Sequence, residues 1–271
     1  MVDFDGGVAV ITGSAGGIGL GMARACLTRG MRVLLSDLAD HRLDAAVVAL
    51  SGQGASVIGH AADVRCRSQL EALRDRAMSE FGRIDLLCNN AGVGLTKPLV
   101  ECTAADWDLL LDVNVKGVAN GIAAFLPAML EADRGHLNAT ASLSGLVSDP
   151  HLGIYSATKF AVVGMMGALA RELTDTSVSA SVLCPGPVDT GLLDSSAVHT
   201  GEAASAGARE YLSAGMAPEE VGELAIAGIA DGRHWLFSHA ALTRRIVENQ
   251  VASMFDDGTL YVDPIDWTEQ R

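Results

Sequence analysis

Short runs that are apolar at nearly every position alternate along this chain with longer stretches whose apolar residues recur every three or four positions. The short runs are Val8–Thr12, Met31–Ser36, Ser56–His60, Ile84–Cys88, Gly135–Ala141, Val178–Cys184 and His234–Phe237, most of them closed by Gly, Asp, Asn or Pro. An apolar side chain at every position suits a strand covered on both faces, which is the signature of a parallel sheet between helices. The longer stretches predict helices over about Gly17–Arg29, Asp40–Ser51, Ser68–Phe81, Thr103–Leu130, Tyr155–Thr174, Pro218–Ala230 and Ala241–Met254. Repeated strand–helix units with tight connections give a doubly wound α/β fold in three layers, whose ligands bind beyond the carboxyl ends of the strands.

The expected organisation is one domain over residues 1–255 with a substrate loop at about 190–216, then an acidic tail over 256–271. Ser195–Ala208 has little periodicity and reads as a mobile loop or a weak helix. Tyr261, Pro264 and Trp267 suggest a tail that docks.

Charge narrows the partners. The 271 residues carry 19 basic and 33 acidic side chains, a net charge of −14, which repels a polyanion and argues against nucleic acid. Five cysteines are scattered without a C-x-x-C pair, which points to a reducing compartment and away from zinc or any other metal site and from a disulfide framework. The first residues, Met-Val-Asp-Phe-Asp, lack a basic region and a hydrophobic signal core, and no uninterrupted apolar stretch approaches membrane-spanning length. The expectation is a cytoplasmic protein that does not engage a membrane.

Candidate chemistry begins after the first strand, at Thr12-Gly13-Ser14-Ala15-Gly16-Gly17-Ile18-Gly19. Glycines there permit a tight turn and let backbone N–H groups approach a pyrophosphate at the positive end of the following helix. The second strand ends at Asp37, whose carboxylate can accept hydrogen bonds from ribose hydroxyls and would repel a 2′-phosphate; Asp also favours turns and helix caps. Tyr155 and Lys159 stand one helical turn apart and share a face. To serve as a base near neutrality a tyrosine must ionise roughly 3 pH units below its ordinary pKa of about 10, a demand of about 4 kcal/mol. A neighbouring ammonium in a dry cleft meets part of it.

In register with these features, Asn89-Asn90-Ala91-Gly92 follows the fourth strand and Asn114 lies in mid-helix. Ser142 falls thirteen residues before Tyr155, and Pro185-Gly186-Pro187-Val188-Asp189-Thr190 follows the sixth strand. Over residues 6–192 the chain thereby resembles the short-chain dehydrogenase/reductase family, with its T-G-x-x-x-G-x-G, N-N-A-G and Y-x-x-x-K motifs. The resemblance implies a Rossmann-type fold and an oxidoreductase that moves hydride between a nicotinamide cofactor and an alcohol or ketone. It implies Tyr155 as general acid/base and Ser142 as the group that polarises the substrate oxygen, with Ser144 as its rival. Lys159 would bind the nicotinamide ribose as well, and Asn114 would position a water that joins Lys159 to a proton relay.

Gly13, Ser14, Gly17, Ile18, Gly19, Asp37, Asp63, Val64, Asn90, Ala91, Gly92, Tyr155, Lys159, Pro185, Gly186, Val188 and Thr190 would contact the cofactor. Ser14, Ala15 and Leu38 occupy places where NADP-dependent members generally carry Arg or Lys, so NAD is favoured over NADP. The chain departs from the family in reading Ala141-Ser142 where two serines are frequent. It also has His136-Leu137-Asn138-Ala139 where Ile-Val-Asn is common, which puts the contact of Asn138 in question.

The expected pocket, formed by Val93–Thr96, Leu143–Leu152 and the segment after Thr190, is mostly apolar, and no Arg or Lys occurs between Asp189 and Gly207. An uncharged, largely apolar secondary alcohol or ketone fits it, with no cationic clamp for a phosphate or carboxylate. The stretch after Gly215 is similar to that of somewhat longer bacterial members, some of which oxidise aryl or benzylic alcohols. Small residues Ala157, Ala161, Gly164 and Ala168 would allow close helix–helix approach, and the resemblance implies a homodimer or homotetramer. Two alternatives stay open: an NADP-linked 3-oxoacyl-type ketoreductase, and a nucleotide-sensing protein that keeps the fold without turnover.

Overall fold

The computed structural model describes residues 2–51, 56–192, 206–256 and 258. The chain divides into two compact units, Met1–Ser238 and His239–Arg271. The first holds a seven-stranded parallel sheet of β1 (Val8–Thr12), β2 (Arg32–Ser36), β3 (Val57–Gly59), β4 (Leu86–Asn89), β5 (Gly135–Thr140), β6 (Val178–Cys184) and β7 (Trp235–Phe237). Their order is β3-β2-β1-β4-β5-β6-β7, so the strand order reverses between β1 and β4 and a crevice opens at their carboxyl ends.

Helices cover both faces: α1 (Gly17–Thr28), α2 (His41–Ser51), α3 (Arg67–Phe81), α4 (Ala104–Leu110), α5 (Gly117–Glu131), α6 (Gly153–Glu172), α7 (Ala206–Ser213) and α8 (Pro218–Ala230). The described part of the second unit is α9 (Ala240–Asp256) and Gly258. Most of Ser195–Ala208 and nearly all of the acidic tail lie outside the described residues.

The strands are largely apolar because successive side chains feed opposite cores. Val10, Leu34, Leu87, Leu137 and Val182 join Leu70, Leu73, Phe125, Val162 and Met166 of α3, α5 and α6. Their neighbours Ala9, Ile11, Leu35, Leu86 and Leu183 join Met22, Cys26, Leu43, Val221 and Ile226 of α1, α2 and α8. By length and composition two helical stretches, Ala104–Glu131 and Gly153–Glu172, are apolar enough to cross a membrane, although neither is an uninterrupted apolar run. Both lend side chains to the first core, and Asn114 and Lys159 are buried within them.

The first stretch is not the continuous helix that its periodicity predicts. Thr103 caps α4 through a reciprocal capping box with Asp106, and a π-helical turn over Leu111–Lys116 then separates α4 from α5.

Two glycines fix α1 in place. A Cβ on Gly222 of α8 would lie 2.2 Å from the Gly21 carbonyl carbon, and one on Gly21 would lie 2.4 Å from the Pro218 oxygen. The two helices therefore cross backbone to backbone. Gly222→Ala is expected to cost about 2–3 kcal/mol in urea unfolding, because neither backbone can yield without moving α1. Gly167→Ala, where a Cβ meets only the flexible end of Arg171 at 3.4 Å, is the control and should cost nothing. Equal stabilities for the two variants would show that the crossing tolerates an extra methyl.

Candidate active site

The loop after β1 is shaped by contacts that only glycine permits. Gly13 has φ +63°, and a Cβ there would stand 2.7 Å from the Ala91 Cα. A Cβ on Gly19 would stand 2.4 Å from the Gly13 oxygen. Thr12 binds this loop to the turn after β4, since its Oγ1 accepts the N–H groups of Asn90 and Ala91, both at 3.1 Å. Asn90 Nδ2 donates to the Thr12 and Gly13 carbonyls at 3.1 and 3.0 Å, and its Oδ1 accepts from Thr140 Oγ1 at 3.0 Å. The ends of β1, β4 and β5 thus form one hydrogen-bonded body.

The mouth of α1 suits an anion. Its N-cap is Gly16, with no side-chain cap and no acidic residue in the first turn, and a Cβ on Gly16 would meet nothing within 4 Å. The first N–H groups of a helix lack intrahelical partners, so this uncapped end offers a pyrophosphate both donors and a positive dipole. Ile18 is half-buried behind it, and Gly17, at φ +54°, faces Thr190, whose Cγ2 would lie 3.4 Å from an added Cβ.

Pro185 accepts the Leu143 N–H at 2.8 Å, Gly186 donates to Ser238 Oγ at 3.0 Å, and Val188 is buried in a parallel bridge with Met216. These ties carry the Pro-Gly loop back over the crevice. Ser14 faces the other way: its buried hydroxyl bonds the Ile11 and Ser36 carbonyls and the Ser36 N–H, while its own N–H bonds the Ser36 oxygen. It braces β1 against β2 and presents neither polar group to the crevice.

Asp37 accepts the Ala15 N–H at 3.0 Å and the Leu38 N–H at 2.8 Å, so one carboxylate spans the glycine loop and the end of β2. Asp63 pairs with Arg65 at 2.6 Å. Val64 is buried, its carbonyl accepts from Asn120 Nδ2 at 2.9 Å, and a Cβ on Gly117 would press to 2.8 Å from it. The chemistry of these donors and acceptors fits a dinucleotide laid across the carboxyl ends of the strands.

At the crevice floor Lys159 is buried, its Nζ donating to the Thr140 carbonyl at 2.9 Å and standing 5.5 Å from the centre of the Tyr155 ring. Burial without a carboxylate partner pulls its pKa down to about 8. Tyr155 rests on the apolar cluster of Val93, Leu95, Leu110 and Ile154. Burial raises its pKa above the ordinary tyrosine value, against the opposing effect of a side-chain hydrogen bond to Ser142.

Ser142 Oγ also accepts the Ser144 N–H at 3.1 Å, so Ser142, not Ser144, meets the phenol and Ser144 holds it from behind. Beneath them the Cys184 thiol is pushed up to about 12 by burial, so it remains a neutral packing group. Gly92 leaves the space above: a Cβ there would lie 3.3 Å from Asn114 Oδ1 and 3.5 Å from Lys159 Nζ.

The π-turn gives the mid-helix asparagine its reason. Asn114 Oδ1 accepts the Val93 N–H at 2.9 Å, and its Nδ2 donates to the Val93 carbonyl at 2.9 Å and to Thr158 Oγ1 at 3.0 Å. Its amide grips the loop after β4 as a neighbouring strand would and has no donor left over. Asn138 diverges as its altered surroundings suggest: its Nδ2 donates to Ser181 Oγ at 2.9 Å, while its buried Oδ1 has no partner. The adjacent His136, bridging Ser179 and Ser181, is driven down to about 3 by burial and stays neutral. Thr12, Thr140 and Thr158 are the holding residues that sequence reading missed. Each works through a partner at least nineteen residues away or through its own hydroxyl on a neighbouring turn.

A Rossmann-type sheet, an uncapped glycine-rich helix mouth and a half-buried tyrosine beside a buried lysine define a nicotinamide-linked oxidoreductase. The chain belongs to the short chain dehydrogenase family, which it matches over residues 7–200. It is 33% identical over 189 residues to the D-beta-hydroxybutyrate dehydrogenase of Cupriavidus necator, covering 70% of this chain and 73% of that protein. It is 30% identical over 190 residues to the 3-oxoacyl-acyl-carrier-protein reductase FabG of Thermotoga maritima, covering 70% and 77%. Among solved structures, a short chain dehydrogenase/reductase from Burkholderia phymatum in complex with NAD superposes with a TM-score of 0.91 at 35% identity, over 97% of this chain and 99% of that one. The protein is accordingly an NAD(P)-dependent dehydrogenase acting on CH–OH groups.

Proposed function

We infer that this enzyme oxidises a mostly apolar, uncharged secondary alcohol with NAD, and reduces the matching ketone in reverse, with Tyr155 as general acid/base. The observation that carries the reading is the half-buried Tyr155 with the buried Ser142 and Lys159 beside an uncapped glycine-rich helix end. Bound nicotinamide supplies the hydride acceptor. Ser142 donates a hydrogen bond to the substrate oxygen, and Tyr155 takes the hydroxyl proton as the C–H bond breaks. The Lys159 ammonium stabilises the phenolate across the short gap and lowers the cost of that ionisation. The family resemblance implies that Asn114, whose amide is committed to Val93 and Thr158, positions a water that joins Lys159 to a proton relay.

Val93, Leu95, Leu143, Val147 and Ile154, all buried, support an apolar substrate. Asp37 supports NAD over NADP, because its carboxylate already lies against the glycine loop, where a 2′-phosphate would meet like charge. The exposed Ala157, Ala161, Gly164 and Ala168 on α6 support self-association as a homodimer or homotetramer, and five unpaired cysteines support a reducing, cytoplasmic setting.

Screening secondary alcohols for NAD reduction tests the reading, with NADP at equal concentration as comparison. Asp37→Ala is expected to shrink the preference for NAD by about tenfold, the worth of one charge repulsion in a partly exposed site. A preference that does not move would assign Asp37 to the turn alone, and NAD binding without turnover of any alcohol or ketone would assign the protein to sensing.

A further inference from the structure

The turn from β2 into α2 carries Asp37, Asp40, Arg42 and Asp44, and Arg42 is the one Lys or Arg between Arg32 and Arg65. Arg65, next to Val64, is already paired with Asp63, which leaves Arg42, five residues beyond Asp37 in the first turn of α2. Its guanidinium is already engaged, since Nε donates to Asp40 Oδ2 at 2.7 Å while its backbone N–H donates to Asp40 Oδ1 at 2.8 Å. The two oxygens of Asp40 thus do separate work: Oδ1 caps the start of α2, and Oδ2 holds the side chain. The same turn borders a cavity of about 340 Å³ at the carboxyl ends of β2 and β3, lined by Ala39, Asp40, Leu43, Asp44, Gly59 and Ala61. Both charged groups in that lining are carboxylates.

We propose that Asp40 is a specificity-determining residue for the cofactor: by holding Arg42 it withholds a cation that would attract a 2′-phosphate. This rests on the reading that NAD lies with its adenosine ribose at Asp37. Asp37 rejects the phosphate by repulsion, whereas Asp40 removes the attraction that would offset it. With Asp44 it also keeps the neighbouring cavity anionic. An arginine released from its partner makes charge-assisted, bidentate bonds to phosphate oxygens, which is why NADP sites favour it.

Asp40→Asn separates the two jobs, because the amide oxygen still caps α2 while the charge is lost. The apoprotein is titrated calorimetrically with NAD, NADP and 2′,5′-ADP, and no turnover is needed. Asp40→Asn should leave NAD affinity within about twofold and tighten NADP and 2′,5′-ADP by about 5- to 10-fold. The gain should shrink between about 0.05 and 0.5 M salt and vanish in Asp40→Asn/Arg42→Ala. Unchanged NADP affinity in Asp40→Asn, or a gain that survives the loss of Arg42, overturns the proposal while NAD binding stands. Failure of the unaltered protein to bind NAD, or an Asp37→Ala variant that discriminates as before, overturns the underlying reading as well.

Discussion

Tyr155→Phe lowers kcat/KM by about three to four orders of magnitude, the upper range for loss of a general acid/base, while the dissociation constant of NAD stays within about twofold. The ring still packs on Val93, Leu95, Leu110 and Ile154, so the wall of the crevice survives. Only the phenolic oxygen and its bond to Ser142 are lost. Steady-state kinetics with a calorimetric NAD titration separate the two quantities. A variant that keeps a tenth of its turnover, or that loses NAD binding first, would assign Tyr155 to packing. The pH dependence of the unaltered enzyme carries the same logic. Burial holds the phenol above its ordinary pKa, so the base form grows as pH rises, while the Lys159 ammonium that stabilises it is lost through about 8, and alcohol oxidation is expected to pass through a maximum.

Lys159→Met abolishes turnover and makes the protein more stable. The buried ammonium has a carbonyl and a ring face as partners and no carboxylate, and burial pulls its pKa down to about 8 from 10.5. The unfolded chain then binds the proton more tightly than the folded one. Folding at neutral pH is penalised by about 3 kcal/mol, and the penalty disappears as pH rises from 8 through 10.5. Methionine removes the charge at similar volume but leaves the Thr140 carbonyl unpaired, at a cost of about 1–2 kcal/mol. A rise of about 4 °C in the thermal midpoint at pH 7 is expected, narrowing toward pH 10. A variant that melts below the unaltered protein at pH 7 would show that the lysine is a net stabiliser. Activity and stability are opposed at this position, a familiar trade where a site keeps a charge in a dry place.

Local features of this enzyme were legible in its sequence, and long-range ones were not. β6 and α8 begin and end where the periodicity places them, at Val178–Cys184 and Pro218–Ala230, because their stop signals, Pro185 and the Pro218/Asp231 pair, lie next to them in the chain. The 3.6-residue spacing of Tyr155 and Lys159 and the glycine pattern are equally local. The partner of the Ser14 hydroxyl, Ser36, lies twenty-two residues on and could not be read from the loop that carries Ser14. The π-turn was invisible because Leu111, Val115 and Val118 keep a three-to-four-residue spacing through it and mask the five-residue step from Val113 to Val118. What bends the helix there is the grip of Asn114 on Val93, a contact between two elements.

That turn has a consequence for how the polypeptide tolerates loss of length. A π-turn accommodates one residue more than an α-turn, so α4 and α5 lie out of step by a single position. Deleting one residue within 111–116 would let the segment relax into an unbroken α-helix. The stripe of Val118, Gly121, Phe125 and Met129 would then keep its place on the sheet, because an α-turn with one residue fewer ends at the same angle. The surplus residue is thus tied to the grip of Asn114 on Val93, and a shortened chain would keep its seat on the strands while that grip was disturbed.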